Sequence, residues 1–264
     1  MKAGISTACL YPMLLEDAFS TLLKLGFREF EVFFNTFREL KPGFVRDLRL
    51  RADDTGSHIQ SVHPFTSGYE SFLLFSDYER RFLDGLEFYK RYFEVCNLLG
   101  AKILVLHGKR NDRCSQGPDE QYFDRYEQLY QLGKKFGVTV AQENVNQFLS
   151  DQPDFIARMR QACGRDCAFV LDIKQAVRGG QDPLRLCTAM GKQIIHVHIN
   201  DNRSDSDCLL PGCGTMDYPA LVRMLRSFHF DGDLIIEVYR KNFSQLQELL
   251  SAKQTVEKLI CGIS

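Results

Sequence analysis

The stretch Lys192 to Arg203 reads KQIIHVHINDNR, an apolar strand that carries two histidines and ends in a polar segment. Because side chains alternate along a strand, His196 and His198 lie on the same face. A strand buried on both faces is nearly all apolar, so imidazoles inside one need a reason. His198 stands where the strand gives way to Asn200-Asp201-Asn202-Arg203, which predicts a loop. We therefore treat His198 as a candidate ligand and His196, one layer deeper, as a packing or supporting residue.

Strand-like and helix-like runs alternate along the whole chain on either side of this stretch. We predict strands at 3–6, 27–33, 58–64, 101–107, 138–143, 167–173, 193–200 and 233–239. We predict helices at 14–25, 38–55, 78–99, 120–136, 153–163, 183–190, 218–228 and 243–260. Such alternation is typical of an α/β fold with a parallel sheet covered by helices.

Eight strand–helix units in 264 residues match the size of a (β/α)8 TIM barrel. The alternative is an open doubly wound sheet, which usually carries a glycine-rich turn after its first strand. The turn here reads STACLYPML and has no GxGxxG pattern, so the barrel is favoured. We find no linker and predict a single TIM barrel domain over residues 1–264.

Composition argues against several classes of function. The chain has 33 basic and 34 acidic residues, a formal charge of −1, so it lacks the electrostatic signature of a nucleic-acid partner. No apolar run is long enough to span a bilayer, and the first residues turn polar too soon for a signal peptide. The nine cysteines form no CxxC pair, which favours reduced thiols in a cytoplasmic protein. The aromatic stripe Phe82, Phe88, Tyr89, Tyr92 and Phe93 predicts core packing or a contact in a homo-oligomer.

Residues able to act as ligands, acids or bases stand at the carboxyl ends of most predicted strands. In a TIM barrel these ends meet at one face, where the active site lies. Any one such residue is more often part of a turn or a helix cap, but convergence of all of them indicates a site. The strand-end residues are Glu31, His63, His107 with Lys109, Glu143 with Asn144, Asp172, His198 and Glu237.

The subset that most specifically indicates a site consists of Glu143, Asp172, His198 and Glu237. Three carboxylates at one mouth repel one another unless positive charge lies among them. One divalent metal ion would supply that charge, and three oxygen donors with one imidazole suit Mn²⁺ foremost, then Mg²⁺, Co²⁺ or Zn²⁺. The alternative is a hydrogen-bonded network balanced by the nearby bases, which are Lys109, Lys174, Arg203 and Arg240.

Five short motifs resemble those of the sugar phosphate isomerase/epimerase superfamily, the xylose isomerase-like TIM barrels, and the similarity covers nearly the whole chain. The motifs are QEN at 142–144, VLD at 170–172, HVHIND at 196–201, PGCG at 211–214 with DYP at 217–219, and IIE at 235–237. The resemblance implies a metal held by Glu143, Asp172, His198 and Glu237. It also implies that Glu143 and Glu237 are the catalytic acid/base pair.

The chemistry that the resemblance implies is isomerisation or epimerisation of a sugar, keto-sugar or sugar phosphate. Two carboxylates remove and return a proton α to a carbonyl, through a metal-stabilised cis-enediolate. Substrate-binding roles would fall to His63, His107, Lys109, Gln175 and Arg203. Gly212 and Gly214 would let backbone approach the substrate.

One departure from the family pattern concerns the residue three positions after Asp172. Many members carry a histidine there, whereas this chain has Gln175, which hydrogen-bonds but carries no charge. Three alternatives therefore stay open. They are a lyase of the inosose dehydratase type, a zinc phosphodiesterase of the endonuclease IV type, and a non-catalytic sugar-binding barrel. Gln175 and the near-neutral charge disfavour the phosphodiesterase, while His63 and His107 keep it open.

Overall fold

Eight parallel strands close into a barrel, as the alternation predicts. The structure, a computed structural model, describes residues 1–111 and 118–262. The barrel strands are β1 (Ala3–Ser6), β2 (Glu29–Phe33), β3 (His58–His63), β4 (Ile103–Leu106), β5 (Thr139–Glu143), β6 (Phe169–Asp172), β7 (Ile194–Ile199) and β10 (Leu234–Ile236). Around the barrel they follow the order β1-β10-β7-β6-β5-β4-β3-β2.

The helices surround this barrel and cover its outer face. They are α1 (Leu15–Lys24), α2 (Pro42–Asp54), α3 (Glu70–Leu73), α4 (Glu79–Leu99), α5 (Asp119–Lys135), α6 (Pro153–Cys163), α7 (Ile173–Arg178), α8 (Pro183–Met190), α9 (Tyr218–Ser227) and α10 (Gln247–Gly262). None of the helices within residues 1–111 and 118–262 combines the length and apolarity that a bilayer crossing requires.

The hydrophobic core fills the space between strands and helices. The aromatic stripe of α4 belongs to this core, since Phe82, Tyr89, Tyr92 and Phe93 are at most 1% exposed. The interpretation as core packing is therefore confirmed for these four residues. The eight cysteines in the described part of the chain are free thiols, and Cys114 lies outside it.

Two local predictions at the carboxyl ends of the strands were wrong. The expected loop after β7 is a two-stranded antiparallel hairpin, β8 (Asp201–Arg203) with β9 (Ser206–Leu209). The sixth strand was expected to include Ile173, but α7 begins at that residue. Asp172 Oδ1 accepts the backbone N–H of Gln175 at 3.0 Å and so caps α7. The sequence does not reveal this cap, because Ile173 is apolar and so continues the pattern of the strand before it.

Gly4 marks a close approach between β1 and its neighbours. A Cβ added there would lie 2.8 Å from the carbonyl oxygen of Glu29 and would overlap the side chain of Ile235. Backbone of a neighbouring strand cannot move aside cheaply, so only glycine fits at this position.

We predict that Gly4→Ala lowers the free energy of unfolding by about 1–3 kcal/mol, the usual cost of overpacking. Urea denaturation followed by circular dichroism measures it. Gly43→Ala is the matched control, because nothing lies within 4 Å of the added Cβ on the exposed start of α2. That variant should match the wild type or gain stability, and equal losses in both variants would contradict the packing argument.

Candidate metal centre

The structure brings together the four side chains that the sequence predicts as metal ligands. Glu143, Asp172, His198 and Glu237 each offer one ligand atom, and these atoms lie within 4.8 Å of one another. Glu143 and Asp172 are the last residues of β5 and β6, His198 lies in β7, and Glu237 directly follows β10. Asp172 is in register with His198, so parallel pairing aligns them at the mouth.

His198 is oriented by carboxylates on both sides of its ring. Its Nε2 lies 3.1 Å from Glu31 Oε2, and its Nδ1 lies 3.1 Å from Glu143 Oε1. With a metal bound, the proton on Nε2 would be donated to Glu31 and the Nδ1 lone pair would face the metal among Glu143, Asp172 and Glu237. Carboxylate support of this kind is usual for metal-binding histidines.

His196 lies beneath this centre. Its Nε2 is 3.0 Å from Glu31 Oε2 and 3.2 Å from Ser61 Oγ. Ser61 in turn donates to Glu31 Oε2 at 2.8 Å. His196 therefore contacts Glu31, which orients His198, rather than the candidate ligand atoms. This arrangement agrees with the supporting role that the position of His196 predicts.

The four residues fit a single divalent ion. Asp172 Oδ2 is buried and accepts no hydrogen bond, although Lys174 Nζ lies 3.2 Å away. Lys174 offers this oxygen a positive charge but no hydrogen bond, so a bound divalent ion would satisfy a buried acceptor that is otherwise costly. Three carboxylates and one imidazole form a donor set that suits Mn²⁺, Mg²⁺, Co²⁺ or Zn²⁺.

Lys174 is the base that the structure places inside this carboxylate cluster. Its ammonium lies 2.5 Å from Glu237 Oε2, and 96% of its side chain is buried. Two of the other bases expected as counter-charges point elsewhere: Arg203 pairs with Asp205 at 2.6 Å, and Arg240 donates to the carbonyl of Phe243 at 2.7 Å.

Burial and neighbouring charges together set the ionisation of the cluster. Burial raises the pKa of the Glu143 carboxyl, but His107, His198 and His63 outweigh it and hold that pKa well below its usual range. Burial lowers the pKa of His198, but the surrounding carboxylates hold it well above its usual range. For Asp172, burial prevails over Lys174 and its pKa is raised. Glu143 is therefore ionised at neutral pH.

A cavity of about 260 Å³ opens above these residues at the mouth of the barrel. Glu143 and Glu237 line it, whereas Asp172 and His198 are 0% exposed and lie beneath. The remaining lining residues are Ala8, Tyr11, Phe33, His63, Ser67, His107, Lys174, Gln175, Val238 and Tyr239. Two of the four candidate ligands thus also face the space where a small molecule would bind.

Three of the five residues predicted to bind substrate line this cavity, namely His63, His107 and Gln175. The structure does not bring Lys109 and Arg203 to it. Lys109 is buried in the turn after β4, where Gly108 has a φ of +87°. Arg203 lies in the hairpin, where its side chain is 53% exposed and pairs with Asp205.

His63 and His107 are held side by side against Glu143. Their Nε2 atoms are 3.0 Å apart, and His107 Nε2 lies 2.8 Å from Glu143 Oε2. Two buried groups fix the turn after β4: Glu70 accepts the N–H of Gly108 at 2.5 Å, and Gln142 donates to the carbonyl of His107 at 2.8 Å.

Asp201 organises the loop that follows the hairpin. Its two carboxylate oxygens accept the backbone N–H groups of Asn202, Gly212, Gly214 and Met216 at 2.9–3.0 Å. A Cβ on Gly214 would overlap Asp201 and the carbonyl of Asn202. Gly214 therefore permits a close approach to Asp201, and it does not line the cavity.

A family model described as xylose isomerase-like TIM barrel matches residues 19–260. The chain belongs to this family. It is 23% identical, over 253 residues, to the 3-dehydro-D-guloside 4-epimerase of Escherichia coli (strain K12). That match covers 90% of this chain and 92% of the relative.

Solved structures share the fold over the whole chain. A D-tagatose 3-epimerase-like protein superposes with a TM-score of 0.82 at 19% identity, covering 100% of this chain and 98% of that one. The IOLI protein with a binding zinc atom gives a TM-score of 0.77 at 18% identity, covering 100% and 99%. At these identities the structural likeness supports the barrel rather than a particular reaction.

We predict that Asp201→Asn lowers the free energy of unfolding by about 1–3 kcal/mol, because a buried acceptor of four N–H groups loses its charge and one acceptor oxygen. Chemical denaturation measures the loss, and amide hydrogen exchange at Gly212 and Gly214 should accelerate. Asp205→Asn is the control in the same hairpin, since that side chain is 69% exposed. Asp205→Asn should change the free energy of unfolding by less than about 0.5 kcal/mol. A loss equal to that of Asp201→Asn would refute the role of Asp201 in organising the loop.

Proposed function

We propose that this protein is a divalent-metal-dependent isomerase or epimerase of a sugar, keto-sugar or sugar phosphate. One observation carries the proposal: Glu143 and Glu237 face the cavity, while Asp172 and His198 complete a four-ligand cluster beneath them. The likeness to a 3-dehydro-D-guloside 4-epimerase over most of both chains supports the substrate class.

The two glutamates suit proton transfer at a carbon next to a carbonyl group. Glu143 ends β5 and Glu237 follows β10, and β6 and β7 separate these strands in the barrel. Their carboxylates therefore approach the cavity from different positions on its rim. One glutamate removes the proton and the other returns it. Return to the same carbon inverts it, and return to the neighbouring carbon converts a ketose and an aldose into each other.

The acidity of such a proton is too low for a carboxylate acting alone. A divalent ion bound by Glu143, Asp172, His198 and Glu237 would supply Lewis-acid stabilisation of the negative charge that develops on the substrate oxygens. Glu31 holds His198 in the orientation that this role requires. Ionised Glu143, with its lowered pKa, is already in the form that accepts a proton.

The other cavity residues suit recognition of a small polyhydroxylated molecule. His63, His107 and Gln175 present hydrogen-bonding groups, and Phe33 and Tyr239 form apolar walls. A cavity of about 260 Å³ lies just below the about 300–1,000 Å³ of sites for drug-sized ligands, which favours a monosaccharide-sized substrate.

One observation favours a second candidate, a zinc phosphodiesterase of the endonuclease IV type. His63, His107 and Glu143 also offer ligand atoms within 4.8 Å of one another, so a second ion has donors beside the first. Gln175 opposes this candidate, because an amide stands where such an enzyme uses a further histidine. The number of bound ions distinguishes the two candidates.

We expect Glu143→Gln and Glu237→Gln each to slow solvent deuterium exchange into a bound ketose by at least about 100-fold, because each removes one proton-transfer group. Proton NMR in deuterium oxide, over a panel of ketoses, inososes and hydroxypyruvate, measures the exchange and identifies the products. Glu257→Gln, on an exposed face of α10, is the control and should exchange at the wild-type rate. Native exchange in both site variants would show that the acid/base assignment is wrong.

We expect one divalent ion per chain by elemental analysis of protein loaded with Mn²⁺ or Zn²⁺. Chelation should abolish deuterium exchange, and adding back Mn²⁺ should restore it, since the substrate oxygens then regain their stabilising charge. Asp172→Asn should lose most of the bound ion. Three zinc ions per chain would instead favour the phosphodiesterase, and exchange that survives chelation would contradict metal dependence.

A further inference from the structure

We propose that Lys174 is an internal counter-ion that competes with the metal for Asp172 and Glu237, and so weakens metal binding. The inference rests on the proposed function for its metal ligands. It concerns a residue outside the four candidate ligands, two positions after Asp172 in the short helix α7.

The ammonium of Lys174 faces the same two carboxylate oxygens as His198, the candidate ligand that contributes an imidazole. Its Nζ lies 2.5 Å from Glu237 Oε2 and 3.2 Å from Asp172 Oδ2. His198 Nδ1 lies 3.6 Å and 3.5 Å from these two oxygens. A metal ion that binds both oxygens therefore has to share them with an ammonium group.

The surroundings of Lys174 keep its charge inside the site. Its side chain is only 4% exposed, and its Nζ lies 5.2 Å from the centre of the Tyr239 ring. Arg178 fixes that ring by donating to the Tyr239 hydroxyl at 2.5 Å, and Arg178 also pairs with Asp207 at 2.5 Å. Water therefore screens Lys174 poorly, and its repulsion of a nearby divalent ion is strong.

Lys174 acts in opposite directions on the metal-free and the metal-loaded protein. Without metal, its charge offsets the repulsion between two buried carboxylates, which stabilises the fold. With metal, the same charge repels the ion. A lysine with only a structural role would affect stability without affecting metal affinity, so the two effects together identify the competition.

The test compares full-length wild type with Lys174→Met, which keeps the apolar stem and removes the charge. Isothermal titration of chelator-treated protein with MnCl₂ should give a Kd at least tenfold lower for the variant. Thermal unfolding in EDTA should give the variant a lower Tm than the wild type, and saturating Mn²⁺ should raise its Tm by more than it raises that of the wild type. Lys174→Gln should shift the Kd in the same direction.

Lys253→Met is the matched control, because it removes the same charge from α10 at the opposite end of the barrel, where Lys253 bonds the carbonyl of Gly26. Its Kd should stay within twofold of wild type. An unchanged or higher Kd in Lys174→Met would overturn this proposal alone, provided that the wild type binds Mn²⁺.

Four remaining outcomes also decide whether the inference holds. If neither wild type nor Lys174→Met binds Mn²⁺, the metal assignment fails and this inference fails with it. Binding by the variant alone would support the inference in its strongest form. A variant that folds only with Mn²⁺ supports it too, whereas Lys174→Met and Lys174→Gln that both stay unfolded in millimolar Mn²⁺ would refute it.

Discussion

The burial of several carboxylates at one end of the barrel is the constraint on which the site depends. Glu31, Glu143, Asp172 and Glu237 are all at most 7% exposed, and they repel one another in a region that water reaches poorly. Two groups answer this repulsion: the imidazole of His198, whose pKa the carboxylates raise, and the ammonium of Lys174. The cluster is therefore a balanced network rather than a set of separate ligands.

Much of the fold and most of the candidate ligands could be predicted from the sequence, for one geometric reason. Parallel strands in a closed barrel must bring their carboxyl ends to the same face, so residues far apart in the chain become neighbours once the strands are recognised. Glu143, Asp172, His198 and Glu237 were predicted on this basis, and the structure places their ligand atoms together. His63 and His107 follow from the same rule.

Other features depend on contacts that no local pattern encodes. Lys174 and Arg203 are both bases near a strand end, yet one turns into the cluster and the other pairs with Asp205 on the surface. The start of α7 at Ile173 depends on a cap by the side chain before it. Glu70 reaches Gly108 from a helix of only four residues, too short to show a periodic pattern.

Asp172 serves the fold with one oxygen and the candidate metal centre with the other. Oδ1 caps α7, whereas Oδ2 faces His198 and Lys174. Its backbone is also tied down, since its N–H and C=O both bond the side chain of Asn144. A mutation at this position would therefore disturb folding and chemistry together. Among the candidate ligands, Asp172 thus couples a helix cap and the site through the two oxygens of a single carboxylate.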